Sequence, residues 1–244
     1  MNLPLEKLIE KHILDEYKYL RNDISHLTTG DELYHFILTG AALGDRRTNS
    51  SFKRAKVSFD NGMDCVDELC NLGVIKLEST YGKHDMSDKI LFSAPFLRFW
   101  FAFISPIFKG IKNGDYTEFF EKFKNSKAEF TGFIFEQLSH EFIKLYFQDD
   151  KIYNINRYWD DAREINIVAK TKSGKTIVGI CKYTNSKIKK SELTKLEEDC
   201  KEAGIKADII VIFSKNGYTN ELKSLKDQNL RLFSIRNFKI LLEN

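Results

Sequence analysis

Polar and apolar positions alternate with helical spacing at the start of the chain. Leu5, Leu8, Ile9, Ile13 and Tyr17, with His12 among them, mark one face of an amphipathic helix within residues 1–27. Thr28-Thr29-Gly30-Asp31 interrupts the pattern and offers an N-cap, and Glu32 to Leu43 predicts a second helix. Residues 44–49 read as a loop and Ser51 to Val57 as a short helix. Ser58 or Asp60 caps a further helix that runs to about Leu72 and stops at Gly73. Val74–Glu78 and Lys89–Phe92 read as strands around a polar turn at Gly82. The run from Pro95 to Pro106 packs large apolar residues around one arginine, Arg98, which predicts a buried helix between two domains. Helical spacing resumes over 119–123 and 130–147. Gly110, Gly114 and Lys124-Asn125-Ser126-Lys127 loosen the pattern between them. Beyond that the periodicity predicts strands at 151–159, 163–170 and 176–183, a helix at 191–203, a strand at 207–213, a helix at 218–227 and a strand at 230–235. A short tail helix is expected over 239–243.

These elements predict an α+β chain in two parts. Residues 1–110 have the order of a winged helix-turn-helix, two helices and a capped third before a strand–turn–strand. Residues 111–128 connect, and residues 129–244 form an α/β domain with an αβββαβ core. Winged helices usually meet DNA through the third helix. Here that segment carries Asp60, Asp64, Asp67 and Glu68, the wrong sign for phosphate, which favours packing or protein contact. Arg46, Arg47, Lys53, Arg54 and Lys56 lie just upstream and can still reach a backbone.

With 42% hydrophobic residues, 244 positions suffice for one large or two modest domains. The stretch from Pro95 to Phe108 is interrupted by Arg98 and Ser105 and is too short for a membrane span. Residues 1–7 lack the order of a secretory signal, so a cytoplasmic location is expected. The four cysteines, Cys65, Cys70, Cys181 and Cys200, include one close pair and no second, which reads as packed thiols in place of a zinc site. Net charge is +3, unevenly spread: residues 151–244 hold 19 Lys and Arg against 12 Asp and Glu, a net of +7. A basic half suits a polyanion partner, and it also suits a solvated, lysine-rich surface.

The chemistry-bearing segment is the pair of strands 163–169 and 176–183 with the basic turn 170–175 between them. It resembles the metal-binding hairpin of PD-(D/E)XK nucleases. Such a site needs two or three converging acids to hold Mg²⁺, which activates water and stabilises the charge that builds at phosphorus, with a lysine beside them. Glu136 fills the helix position; Glu164 and Asn166 share one face of the second strand, and Ile180 and Lys182 one face of the third. Asn166 and Ile180 stand where acids are needed. Glu136, Glu164, Asn166 and Lys182 are thus the candidate catalytic set, with Glu136 and Glu164 as weak metal ligands. The bland alternative is a cross-strand salt bridge between Glu164 and Lys182. No other cofactor is expected. Ser173-Gly174-Lys175-Thr176 invites a phosphate-loop reading, but a Walker motif needs Gly where Ala169 stands, so no NTP site is expected. His12, His26, His35, His84 and His140 are scattered and read as surface or packed residues. Lys170, Lys172, Lys175, Lys187, Lys189 and Lys190 form the densest basic region and are the candidate nucleic-acid contacts.

Pro95-Phe96-Leu97-Arg98-Phe99-Trp100-Phe101, Ile-Asn-Arg-Tyr-Trp (155–159), Glu-Ile-Asn-Ile-Val-Ala (164–169) and Ile-Cys-Lys-Tyr (180–183) together resemble the C-terminal region of archaeal-type DEXX-box P-loop ATPases. That family shows Asp-Pro-Phe-Leu-Arg-Phe-Trp, Gly-Arg-Trp-Trp, Glu-Ile-Asp and Glu-Cys-Lys-Trp. The resemblance covers roughly residues 30–220 and lacks the ATPase module. It implies a winged helix ahead of a nuclease-like domain of unknown function, with site positions at Glu136, Asn166, Ile180 and Lys182. The chain departs from the pattern at Ala94, Asn166 and Ile180. Three readings follow: a nucleic-acid-binding protein with a degenerate nuclease-like domain, a Mg²⁺-dependent nuclease with an unusual acidic set, and a protein-interaction module that partners a separate ATPase.

Overall fold

In the computed structural model, residues 3–28, 30–82 and 86–242 are described. Expectations that fall on Thr29, His84 and Glu243 lie outside the described residues. By contact density the chain divides into two units: residues up to Glu78 with Ser87–Phe130, and Ser79–Met86 with residues from Thr131 onward.

The first unit is mostly helical. The opening helix is not continuous: α1 (Leu5–Ile9) passes into a π-helical turn over Glu10–Leu14, and α2 (Tyr17–Leu27) starts after Asp15 and Glu16. α3 (Glu32–Ala42) is capped by Asp31, whose carboxylate accepts the Leu33 amide at 2.7 Å. α4 (Thr48–Ala55) and α5 (Phe59–Asn71) lead into an antiparallel pair, β1 (Ile75–Glu78) and β2 (Lys89–Phe92), in the register Ile75 to Phe92. An isolated bridge joins Arg47 to Lys89. α6 (Pro95–Phe99) runs into a π-helical turn over Trp100–Ile104, and a 3-10 turn over Ser105–Ile107 leads to α7 (Phe108–Lys112). Arg98 is buried in this unit. Its Nε donates to the Ala42 carbonyl at 2.9 Å, and its guanidinium lies 4.8 Å from the centre of the Phe130 ring. Phe99 and Phe103 pack edge-on against Phe123 and Phe130. Each such pair contributes about 0.5–1.5 kcal/mol beyond its buried area.

α8 (Thr117–Tyr146) is a single helix of 30 residues and runs straight through Lys124-Asn125-Ser126-Lys127. Those side chains are polar but none is a breaker, so they colour a surface without ending the helix.

The second unit is a five-stranded mixed sheet in the order β3 (Ile152–Trp159), β4 (Glu164–Thr171), β5 (Thr176–Lys182), β6 (Ile209–Ser214) and β7 (Leu230–Ser234). β3, β4 and β5 are antiparallel, whereas β6 and β7 run parallel to β5. α9 (Lys190–Glu202) connects β5 to β6, and the short α10 (Asn220–Ser224) lies between β6 and β7. A 3-10 segment, Ile235–Leu242, follows β7 in place of the expected tail helix over 239–243. β5 is buried from Thr176 to Ile180 because helices cover both of its faces. On one face Ile167, Ala169, Ile177, Val211 and Phe213 pack with Phe135, Phe142 and Ile143 of α8. On the other Ile165, Val168, Val178, Ile180 and Ile212 pack with Leu193, Leu196 and Cys200 of α9. Gly179 sits between strands, where an added Cβ would stand 2.6 Å from the Val211 carbonyl oxygen. The strap 79–82 is tied to β3. Thr80 Oγ1 donates to the Trp159 carbonyl at 2.9 Å and accepts its amide at 2.8 Å, and the Tyr81 amide donates to Arg157 at 2.8 Å.

Among the described residues no helix is long and apolar enough to cross a membrane. The four cysteines are free.

Candidate nucleic-acid interface

Strand alternation alone places Glu164, Asn166 and Val168 together, but a β-bulge changes that face. Asn156 pairs with Val168 and Tyr158 with Ile165, so three steps on β4 oppose two on β3. Ile165 and Val168 face α9, whereas Ile167 faces α8 and the Asn166 amide reaches α8 as well. Asn166 Nδ2 donates to Glu136 Oε2 at 3.0 Å, and its Oδ1 accepts the Cys181 amide at 3.0 Å. Backbone pairing between β4 and β5 extends to Ile167 and Gly179, and beyond it the Asn166 side chain accepts the Cys181 amide.

Glu136 is buried on α8 and forms an ion pair with the equally buried Arg157 of β3, whose guanidinium lies 5.6 Å from the centre of the Phe133 ring. His140, one turn along, meets the Asn166 carbonyl through Nε2 at 2.8 Å. Burial, then the neighbouring Arg157 charge, pushes the His140 imidazole down to about 4, so it is neutral at pH 7. Burial raises the Cys181 thiol far above its ordinary range, which removes it as a nucleophile. The cluster is a satisfied structural network around one carboxylate.

Lys182 and Ile180 are on the other face of the sheet. Ile180 belongs to the apolar core under α9, and Lys182 Nζ pairs with Glu192 of α9 at 2.9 Å. Glu164 is exposed at the start of β4, opposite Trp159. Glu136 and the Asn166 side chain lie on the α8 face of the sheet and Lys182 on the α9 face, and Arg157 pairs with Glu136. This donor set does not fit a hydrolytic Mg²⁺ centre, which needs at least one carboxylate free to bind the ion beside the lysine. Among the described residues no three His, Cys, Asp or Glu side chains are grouped to hold a metal ion.

A second buried acid, Asp160, ends β3. Burial opposes its charge, but hydrogen bonds from the Ala162 amide, the Tyr158 hydroxyl and the Arg163 amide and guanidinium outweigh that and hold its carboxyl well below the usual range. Arg163 also reaches Asp199 and Glu202 of α9 and so pins the β3–β4 turn to that helix.

The candidate lysines divide between the two ends of β5. Lys170, Lys172 and Lys175 lie at its amino end, around the hairpin tip. There Lys170 Nζ donates to Thr176 Oγ1 at 2.6 Å, and Asp150 accepts the Ser173 amide at 2.8 Å and its hydroxyl at 2.6 Å. Those bonds, first from the hydroxyl and then from the amide, lower the Asp150 carboxyl, and the Lys175 charge adds to the shift. Lys187, Lys189 and Lys190 lie beyond the carboxyl end of β5, about 20 Å away for six residue steps along the strand. The structure does not bring the two triplets together.

The carboxyl end also gathers cations that are far apart in sequence. The loops after β5 and β6 are joined by an Ile188–Tyr218 bridge, and Lys215 Nζ donates to Asn185 Oδ1 at 2.9 Å while lying 4.5 Å from the centre of the Tyr183 ring. Beside these loops is a cleft of about 550 Å³ lined by Lys215, Lys223, Lys226 and Arg236. Sequence reading missed all four because 21 positions separate the first from the last. The available signal was topological: β6 and β7 follow crossovers, and polar sites in such sheets sit beyond the carboxyl ends of the parallel strands.

Comparison with known proteins adds one match. Residues 100–196 fit a family model described as archaeal and bacterial proteins of unknown function, a span that includes β3, β4, β5 and half of α9. No curated protein and no solved structure matches the chain.

Proposed function

We propose that the second unit is a nuclease-like sheet that holds nucleic acid and does not cut it. The observation that carries this reading is the cationic rim beyond the carboxyl ends of β5, β6 and β7. Lys187 and Lys189 are exposed and, among the described residues, meet no carboxylate. Phosphate contacts from such a rim give affinity that is independent of sequence and falls as salt rises. The core order, helix, three antiparallel strands, helix and parallel strand, is the αβββαβ order of a PD-(D/E)XK domain, and the resemblance to the DEXX-box ATPase region points the same way. Retention of the scaffold without the acids at Asn166 and Ile180 favours binding over hydrolysis.

The test is fluorescence anisotropy of labelled duplex and single-stranded DNA with the full chain, starting at low salt. Affinity that weakens with salt supports the reading, and a flat titration at low salt refutes it. Incubation with plasmid in Mg²⁺ or Mn²⁺ is expected to leave the plasmid intact, and cleavage that Lys182→Ala abolishes would restore the nuclease reading.

For the first unit a different reading is favoured: a winged helix used for protein contact, the partner being a separately encoded subunit such as an ATPase. Its third helix, α5, exposes Asp60, Asp64 and Asp67. Of the upstream cations, Arg46 is buried and Arg54 Nε is held by the Gly40 carbonyl at 2.7 Å. Asp60→Asn/Asp64→Asn/Asp67→Asn is expected to leave DNA affinity unchanged. A clear gain would mean that this helix does face phosphate.

A further inference from the structure

The cleft beside α10 holds more positive charge than a passing phosphodiester requires. Lys215, Lys223, Lys226 and Arg236 line it with Asn216 and Asn237, and no carboxylate is among its described lining residues. Two neighbouring cations at this end are balanced: Lys182 pairs with Glu192, and Lys190 with Glu221 at 3.8 Å. Among the described residues, Lys223, Lys226 and Arg236 have no such partner. The walls are partly set in place: Asn185 holds Lys215, and Asn237 Oδ1 accepts the Ser234 amide at 2.8 Å, which leaves its Nδ2 as a donor. The cleft's volume falls within the range of small-ligand sites, about 300–1,000 Å³.

We propose that this cleft binds a phosphate monoester. A monoester carries about −1.5 to −2 charges at pH 7 and three acceptor oxygens, against one charge on a diester, so it suits four cations around one cleft. Arg236 supplies a planar fork for two of those oxygens, and the lysines act as point charges. The monoester is the terminal phosphate of a nucleic-acid strand or that of a free mononucleotide. The first source rests on the nucleic-acid reading above and the second does not.

The test compares a labelled 12-nucleotide single strand bearing a 5′-phosphate with the same strand bearing a 5′-hydroxyl, using the full chain. The phosphorylated strand is expected to bind about fivefold tighter or more, the discrimination one good bidentate contact provides. Lys223→Gln/Arg236→Gln should abolish that preference, so that the two strands bind alike whatever affinity the remaining rim lysines give, and a preference that survives in the variant overturns the proposal. Circular dichroism confirms that the variant is folded. Adenosine monophosphate that erases the preference identifies a free mononucleotide as a ligand too; a preference that survives it assigns the cleft to strand ends. Equal affinity of the wild type for both strands overturns the proposal while leaving the nucleic-acid reading intact. If neither strand binds, the nucleic-acid reading fails and calorimetry with adenosine monophosphate decides the cleft alone: binding lost in the variant upholds it, and no binding overturns it.

Discussion

The two ends of β5 carry similar numbers of lysines and differ in what surrounds them. At the amino end, Lys170 is bonded to Thr176, and Asp150 and Asp208 hold the backbone at Ser173 and Thr176. At the carboxyl end, the loops after two parallel strands are bonded to each other and present Lys187, Lys189 and Lys215 beside a cleft with three more cations. Lysine density in the sequence therefore does not separate the two ends, whereas the fold does, by gathering cations from distant segments at only one of them. The same contrast applies to the buried acid: Glu136 has company of the right kind for stability and the wrong kind for metal chemistry.

The largest expected effect sharpens that last point. Glu136→Ala removes the carboxylate that balances the buried Arg157 charge, and loss of one member of a buried pair costs roughly 3–5 kcal/mol. Urea unfolding should show that loss, while DNA affinity of the folded variant stays at the wild-type value. A stable variant that loses DNA binding would move the interface to the α8 face.

The pH dependence comes next. His140 is held at about 4 in the folded protein, below its unfolded value near 6.5. A base with a depressed pKa stays neutral in the fold while the unfolded chain takes up the proton. Stability from this residue is complete above pH 6.5 and falls as pH drops toward 4, by on the order of 3 kcal/mol. His35, also lowered by burial and adjacent to Ser105 Oγ at 3.0 Å, adds a loss of the same sign. His140→Gln should flatten the part of the profile between pH 6.5 and 4 when unfolding free energy is measured across that window.

Gly179→Ala tests the sheet that supports both ends. The new methyl group meets the Val211 carbonyl and Cγ2, and overpacking of this kind costs about 1–3 kcal/mol. The melting temperature should fall with both ends of β5 equally affected. Smaller still are the effects on binding. Lys187→Gln/Lys189→Gln should lower DNA affinity and reduce the slope of log affinity against log salt by about 2, one for each lost phosphate contact. Lys172→Gln/Lys175→Gln, the matched change at the other end, should leave the slope unchanged.

Much of the fold was legible because apolar periodicity carries it. The strand Lys89–Phe92 and the order of strands and helices after residue 150 follow directly from alternation and helical spacing. What alternation cannot carry is an extra residue. The bulge beside Asn166 rotates that side chain toward α8, and strict period-two counting misplaces its neighbours. Nor does alternation tell which helix covers a face: Ile180 and Lys182 do share one, but it is the face of α9, opposite Glu136. The polar run Lys124–Lys127 resembles a linker in sequence because periodicity does not tell which face of α8 is exposed. The cleft was invisible for a simpler reason, since its cations come from the loop after β6, from α10 and the residues after it, and from the 3-10 segment after β7.

The most direct test of the central claim is the salt dependence of DNA affinity for the Lys187→Gln/Lys189→Gln and Lys172→Gln/Lys175→Gln variants beside the wild type. The account predicts wild-type affinity that falls with salt, a shallower slope for the first variant and an unchanged slope for the second. An unchanged slope for the first and a shallower one for the second would place the interface at the hairpin tip and contradict it.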